Sequence, residues 1–146
     1  MVIREVIEED LPEISAIEQE TFSEPWRYED FSKAIANSNN YYIVVEVEGK
    51  VAGYCGFWGI VGEGDIYNVA VKKECRRRGI GFHMLTELLK EAKSRGITSL
   101  TLEVRSSNEA AICLYESLGF ERVSIRKDFY SKPKEDAVIM WLKLIQ

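Results

Sequence analysis

The sequence predicts an α/β (α+β) fold: one mixed, mostly antiparallel central sheet of about seven strands with helices on both faces. Three observations predict it. Short stretches rich in β-branched and aromatic residues alternate with stretches whose apolar residues recur every three or four positions. Tight glycine turns, Glu48-Gly49-Lys50 and Gly62-Glu63-Gly64, separate successive strands and make them antiparallel neighbours. Helical stretches then intervene between the later strands, giving the order β-α-α-β-β-β-α-β-α-β-β.

Each element has a local reason. Val2 to Val6 is the first strand. Asp10, with Pro12 in the first turn and Glu13 three residues on, predicts a capping box at a helix start. Leu11, Ile14 and Ile17 carry its apolar stripe to an end near Phe22. Pro25 disfavours helical geometry at Glu24, so Ser23-Glu24-Pro25-Trp26 is a turn. A second helix covers Tyr28 to Ala36, with Phe31 and Ile35 inward, and the polar run Asn37 to Asn40 closes it. Tyr41 to Val47 is a strand, and Val51 to Ile60 is its return partner. Gly53, Gly56 and Gly59 in that partner weaken it or permit close approach. Ile66 to Val71 follows as the next strand.

Met84, Leu85, Leu88, Leu89 and Ala92 form one stripe of a helix that begins at the Gly79-Ile80-Gly81 turn. It stops at Ser94-Arg95-Gly96-Ile97, where a glycine followed by an apolar residue gives the Schellman pattern. Leu100, Leu102 and Val104 alternate with polar residues in a strand that has one apolar face. Ser107 or Asn108 caps the next helix, which runs to Leu118 and ends at Gly119-Phe120. Two strands, Phe120 to Arg126 and Ala137 to Leu144, complete the sheet, joined by a polar segment from Lys127 to Asp136.

Composition narrows the function. A chain of 146 residues fits one domain, 1–146. No apolar run approaches the ~20 residues of a membrane span, and the start shows no basic-then-apolar leader. Cys55, Cys75 and Cys113 form no CxxC, which suggests free thiols in a reducing cytoplasm. His83 is the sole histidine, so a metal site has little to rest on. A net charge of -5 argues against general nucleic-acid binding and suits a basic peptide as partner.

Against that acidic background, Arg76-Arg77-Arg78-Gly79-Ile80-Gly81 is a local reversal. Unpaired first-turn N–H groups, the helix dipole and three arginines together favour an anion, which suggests a phosphate-bearing ligand. Neither GxxxxGK[ST] nor GxGxxG is present, so a phosphate-loop hydrolase is hard to sustain. Glu103 has two readings: an exposed carboxylate on a polar strand face, or a general base beside a cleft. Arg105, two residues on, shares its face, and an ion pair would lower the Glu103 pKa. Asn108 reads as a helix cap or a ligand contact. Tyr115 reads as a core aromatic or a proton donor, and lies on the same helix face as Asn108. Cys113, mid-helix in an apolar stretch, reads as an inert buried thiol, and His83 as surface or packing.

The loop pattern [QR]-x-x-G-x-G after an apolar strand resembles the acyl-CoA-binding motif of the GCN5-related N-acetyltransferases (GNAT). The run Leu102 to Phe120, LEVRSSNEAAICLYESLGF, resembles more specifically the branch of that family that acetylates the N-terminal alanine of a ribosomal protein. Phe22 to Trp26, Asn68 to Val71 and Glu135 to Met140 support the likeness, which covers essentially the whole chain. The resemblance implies the GNAT fold and acetyl-CoA as cosubstrate, with no metal. It places the pantetheine arm along Val69, Ala70 and Val71. It places the pyrophosphate on the N–H groups of Arg77, Arg78, Gly79, Ile80, Gly81 and Phe82, with Arg76 opening the motif where a glutamine is common. It implies that Asn108 contacts the cofactor, that Glu103 takes a proton from the substrate α-amine and that Tyr115 protonates the leaving thiolate. The entrance for a basic N-terminal segment of a ribosomal protein falls to Glu24, Pro25, Trp26 and the Asp128-Phe129-Tyr130 segment, where Phe129 replaces the first of two tyrosines. Other amine acceptors, such as other protein N-termini, a lysine or a polyamine, fit the same loop, and a non-catalytic acyl-CoA sensor would keep Gly79, Gly81 and Asn108 without needing Glu103 and Tyr115 together.

Overall fold

The computed structural model describes residues 1–60 and 62–144. Its elements are β1 (Val2–Glu5), α1 (Leu11–Thr21), α2 (Tyr28–Ala36), β2 (Asn40–Val47), β3 (Lys50–Gly59), β4 (Gly62–Val71), α3 (Ile80–Ser94), β5 (Ile97–Arg105), α4 (Glu109–Ser117), β6 (Glu121–Ser131) and β7 (Lys134–Lys143). The strands form one seven-stranded sheet in the order β1-β2-β3-β4-β5-β7-β6. Every pairing is antiparallel except β4 with β5.

Strand alternation sorts side chains to two faces. On one face Tyr42, Val44, Tyr54 and Ala70 pack under α1 and α2. On the other, Ile43, Val45, Cys55, Leu100, Leu102 and Val104 pack under α3 and α4, against Met84, Leu85, Leu88, Ile112 and Tyr115. The stripe read from the α3 sequence is therefore its buried face, with Leu89 at the margin. Gly56 is the close approach that its strand anticipates: a Cβ there would lie 2.3 Å from the Tyr42 ring.

Three local expectations are corrected. Asp10 makes no side-chain cap to α1. It ends a 3-10 turn, Glu8–Asp10, and its carboxylate turns back to the Arg4 guanidinium at 2.8 Å and the Ile7 N–H at 2.8 Å. A buried carboxylate gains more from a bidentate guanidinium than from one amide. The polar Lys127 to Asp136 segment is mostly strand, because β6 and β7 continue to a short turn at Lys132-Pro133. An exposed edge strand needs no apolar alternation to pair, so periodicity does not mark it. Cys113 is exposed, on the solvent side of α4, while Cys55 is the buried thiol.

The helix ends behave as written. The Asn108 side chain accepts the Ala111 N–H at 3.2 Å and so caps α4. Gly119 at φ +102 closes α4, with the Phe120 N–H reaching the Tyr115 carbonyl at 3.0 Å.

Candidate active site

The sheet comes apart in its middle. Parallel pairing of β4 with β5 runs from Gly62↔Ile97 only to Asp65↔Thr101. Beyond it, residues 66–71 of β4 stay paired to β3, and Leu102–Arg105 stay paired to β7. Between these two stretches no ladder forms, so the backbone groups along both edges are open to a ligand.

A bulge lies at the mouth of this gap. Gly56 faces Asn68 and Phe57 faces Ile66, which leaves Tyr67 as the extra residue of β4. Tyr67 and Asn68 consequently both turn towards α1 and α2. The Tyr67 ring is 6.4 Å from Trp26, and Asn68 accepts the Tyr42 hydroxyl at 2.7 Å. Val69 and Val71 pack towards α3, and Ala70 packs the other way.

The basic loop sits at the α3 end of the gap. Arg76 Nε donates to the Val71 carbonyl at 2.9 Å and pins the loop to the end of β4. Arg77 (φ +65) and Gly79 (φ +75) take left-handed geometry, which turns the chain sharply into α3. Among the described residues, the N–H groups of Arg77, Arg78 and Gly79 find no backbone acceptor, and those of Ile80, Gly81 and Phe82 are the first three of the helix. A Cβ at Gly79 would meet only the His83 ring, in ordinary contact at 3.8 Å, whereas one at Gly81 would lie 3.1 Å from Leu114, so α3 begins tight against α4. Six consecutive donors, an exposed arginine triplet and the helix dipole fit a pyrophosphate. Asn108 is exposed at the start of the neighbouring α4, its Oδ1 already engaged as the cap.

Glu103 and Tyr115 approach the gap from opposite faces. Leu102 and Val104 belong to the core under α3 and α4, so Glu103 between them points to the α1–α2 side. Its one ion-pair partner among the described residues is Arg126, at 3.9 Å and largely exposed. Tyr115 lies on the α3–α4 side, buried, with its ring 5.9 Å from Phe120. Burial pushes its phenol well up, so the hydroxyl keeps its proton. Burial, and then Glu103, raise the Tyr130 phenol.

Arg105 does not pair with Glu103. Its guanidinium goes to Glu135 Oε1 at 3.1 Å. The segments around the α1–α2 turn and the β6–β7 hairpin also meet, through Ser131 Oγ donating to Glu24 at 3.0 Å. Trp26 packs on Phe31 at 5.1 Å, and its backbone N–H donates to Glu18 at 3.0 Å. Phe129 is partly exposed, edge-on to Tyr130 at 5.0 Å. The structure thus gathers Glu24, Trp26, Glu103 and Tyr130 on one side, and Tyr115, Asn108 and the basic loop on the other.

Four residues escaped the sequence reading. Glu18 is 3 % exposed, accepts the Tyr54 hydroxyl as well as Trp26 N–H, and has its pKa raised by burial. The signal existed, because Glu18 falls four residues after Ile14 on the apolar stripe. Asp65 and Tyr67 depend on the bulge and on where pairing stops, which no periodicity encodes. Asp65 has no ion-pair partner among the described residues, and burial, then Glu63, raises its pKa. Glu135 is held down to about 2 by Ser107, through its hydroxyl and N–H, with Arg105 and Ser106 adding to it.

Residues 11–120 match the acetyltransferase (GNAT) family. The [ribosomal protein bS18]-alanine N-acetyltransferases of Escherichia coli K12 and Salmonella typhimurium LT2 are each 37% identical, over 92% of this chain and 92% of theirs. The crystal structure of the ribosomal-protein-S18-alanine N-acetyltransferase from Escherichia coli superposes with a TM-score of 0.91 at 35% identity, covering 99% of this chain and 94% of that one.

Proposed function

The chain belongs to the acetyltransferase (GNAT) family, and from that premise we propose that it transfers the acetyl group of acetyl-CoA to the N-terminal α-amine of a ribosomal protein, an alanine. Residues 1–146 act as one N-acetyltransferase domain. The observation that carries the reading is the gap between β4 and β5, with a carboxylate on one face and a protonated phenol on the other. The acceptor assignment rests on the 37% identity to the bS18-alanine enzymes across most of the chain.

Acetyl-CoA is the cosubstrate, and it supplies an acyl group already activated as a thioester. Arg77 to Phe82 hold its pyrophosphate on their N–H groups, with Arg76 bracing the loop. Val69, Ala70 and Val71 offer backbone groups to the pantetheine arm, and Asn108 contacts it from the α4 side. The acceptor enters from the α1–α2 side past Glu24, Trp26 and Tyr130. Its α-amine, with an intrinsic pKa of ~8, arrives mostly as ammonium. Glu103 takes one proton, and the free amine attacks the thioester carbonyl. The C–N bond forms as the C–S bond breaks, the Tyr115 hydroxyl delivers a proton to the departing sulfur, and the second proton, shed by the new amide nitrogen, restores the phenol through solvent while Glu103 releases the first to water. Transfer is direct, within a ternary complex, and needs no covalent enzyme species. A basic N-terminal segment complements the carboxylates at this entrance and the net charge of -5. The setting is the cytoplasm. Among the described residues no helix is long and apolar enough to cross a membrane.

The test is CoA release from acetyl-CoA with a peptide beginning Ala-Arg and continuing with basic residues, beside the same peptide with a blocked N-terminus and beside spermidine. Turnover that requires the free α-amine is expected. Turnover with spermidine alone would keep the cosubstrate and overturn the acceptor.

A further inference from the structure

Two polar turns far apart in the chain meet beside Glu103. One joins α1 to α2, and the other is the tip of the β6–β7 hairpin. Of these two turns, only Trp26 packs against the apolar clusters that hold the sheet and helices together. Besides the single hydrogen bond from Ser131 to Glu24, one guanidinium joins them. Arg105 Nη2 donates to Ser23 Oγ and to the Lys132 carbonyl, each at 3.2 Å. Nη1 donates to the Pro133 carbonyl at 2.9 Å and to Glu135 Oε1 at 3.1 Å. The same group lies over the Tyr130 ring, 4.3 Å from its centroid. Glu135 carries the tie onward, accepting the Ser107 N–H at 2.7 Å and the Ser106 hydroxyl at 3.2 Å just before α4. A planar fork with five donors can serve this set, and the single ammonium of a lysine cannot.

We infer that Arg105 is a positioning residue of the acceptor site: it holds the α1–α2 turn against the β6–β7 hairpin and so fixes the opening through which the acceptor reaches Glu103. The inference rests on the acetyltransferase reading above. Arg105 touches no reacting atom. It acts through Ser23, Tyr130 and Glu135, which place Glu24, Trp26 and Tyr130 around the incoming chain. Its loss therefore falls on the acceptor and spares the cosubstrate, whose loop lies at the other end of the gap.

The experiment is steady-state kinetics of Arg105→Gln on the Ala-Arg peptide, with acetyl-CoA affinity and thermal melting measured on the same protein. The expected result is a peptide KM raised roughly ten-fold or more, since small misplacements of a positioning group are felt strongly. The acetyl-CoA Kd and the kcat at saturating peptide stay within about two- to three-fold of the parent, against that ten-fold scale. Arg105→Lys shows most of the same KM rise, because it keeps the charge and loses the fork. An unchanged peptide KM, or a KM and an acetyl-CoA Kd that rise together, overturns the inference. Should Arg105→Gln fail to fold, the double variant Ser23→Ala with Ser131→Ala decides. It cuts two surface ties between the turns, and a raised peptide KM supports the inference while an unchanged one overturns it. Wild-type turnover is read first: its absence sinks the acceptor reading, and this inference with it, in an arm separate from the variants.

Discussion

Arg105 follows Glu103 by two residues on the same face of β5, yet its guanidinium lies 3.1 Å from Glu135 and, among the described residues, leaves Glu103 with only the exposed Arg126, at 3.9 Å. A carboxylate tied into a tight ion pair would be a poor proton acceptor. Glu135 takes that partnership instead, and its carboxyl falls to about 2, chiefly through the Ser107 hydroxyl and N–H, with Arg105 adding to it.

Glu103→Gln removes the proposed base and is expected to leave the fold alone. Because Glu103 is on the solvent side of β5 and outside both apolar clusters, the melting temperature is expected to stay within a few degrees. The kcat is expected to fall by on the order of 100-fold, with the acetyl-CoA Kd unchanged. A variant that retains full turnover at neutral pH would remove Glu103 from the mechanism.

Tyr115→Phe keeps the buried ring and its contact with Phe120 and deletes only the hydroxyl. The expected loss is on the order of 10- to 100-fold in kcat, and it narrows with an acyl donor whose thiol is more acidic and needs no proton to leave. Thermal melting separates this from a packing defect, since a volume-conserving change of this kind moves stability by less than about 1.5 kcal/mol.

Gly81→Ala tests the phosphate end. The new Cβ would stand 3.1 Å from Leu114 Cδ2, so either that side chain or the first turn of α3 must give by a few tenths of an ångström. Acetyl-CoA affinity is expected to weaken several-fold, by about 1 kcal/mol, as the N–H groups shift off their anion. Titration calorimetry reads it directly. Unchanged affinity would mean that the helix start does not bind the pyrophosphate.

Gly56→Ala addresses the other side of the sheet. Its Cβ would fall 2.3 Å from the buried Tyr42 ring, whose hydroxyl is tied to Asn68. The expected loss is about 1–3 kcal/mol of stability from overpacking, read by chemical denaturation. Retained stability would show that the Tyr42 ring swings aside without penalty.

Asp65 gives a pH-dependent outcome. Burial, and then Glu63, raise its pKa, so the folded state favours the protonated acid. The resulting penalty is full above the folded pKa and vanishes as pH falls below the unfolded value, ~3.9. Asp65→Asn is therefore expected to melt on the order of 2 °C higher at pH 7.5, with the gain disappearing at acid pH. Equal melting at both pH values would contradict it.

Much of the fold was legible because each element announces itself locally. The α3 stripe, the Gly49 turn and the Gly96 and Gly119 stops are consequences of neighbours in sequence, and the α2 limits agree residue for residue. The edges were less legible. β6 and β7 run through a polar segment because pairing alone, without burial of a face, makes them strands. Asp10 looked like a cap until Arg4, a strand away, proved the stronger partner. Within the site, the residues that lie on motifs could be named in advance. Glu18 carried a signal, its place on the α1 apolar stripe, but Asp65, Tyr67 and Glu135 could not be named, since their places depend on where two strands part, on one bulge and on contacts across distant turns.

The run of unpartnered N–H groups from Arg77 to Phe82 has a consequence outside catalysis. In the function proposed above, acetyl-CoA satisfies those donors only when the loop is folded, so it is expected to bind the native state and not the unfolded chain. At a hundred-fold excess over Kd, such a ligand adds about 2.7 kcal/mol to stability. Resistance to proteolysis is therefore expected to rise with acetyl-CoA concentration, which limited proteolysis with and without the ligand measures.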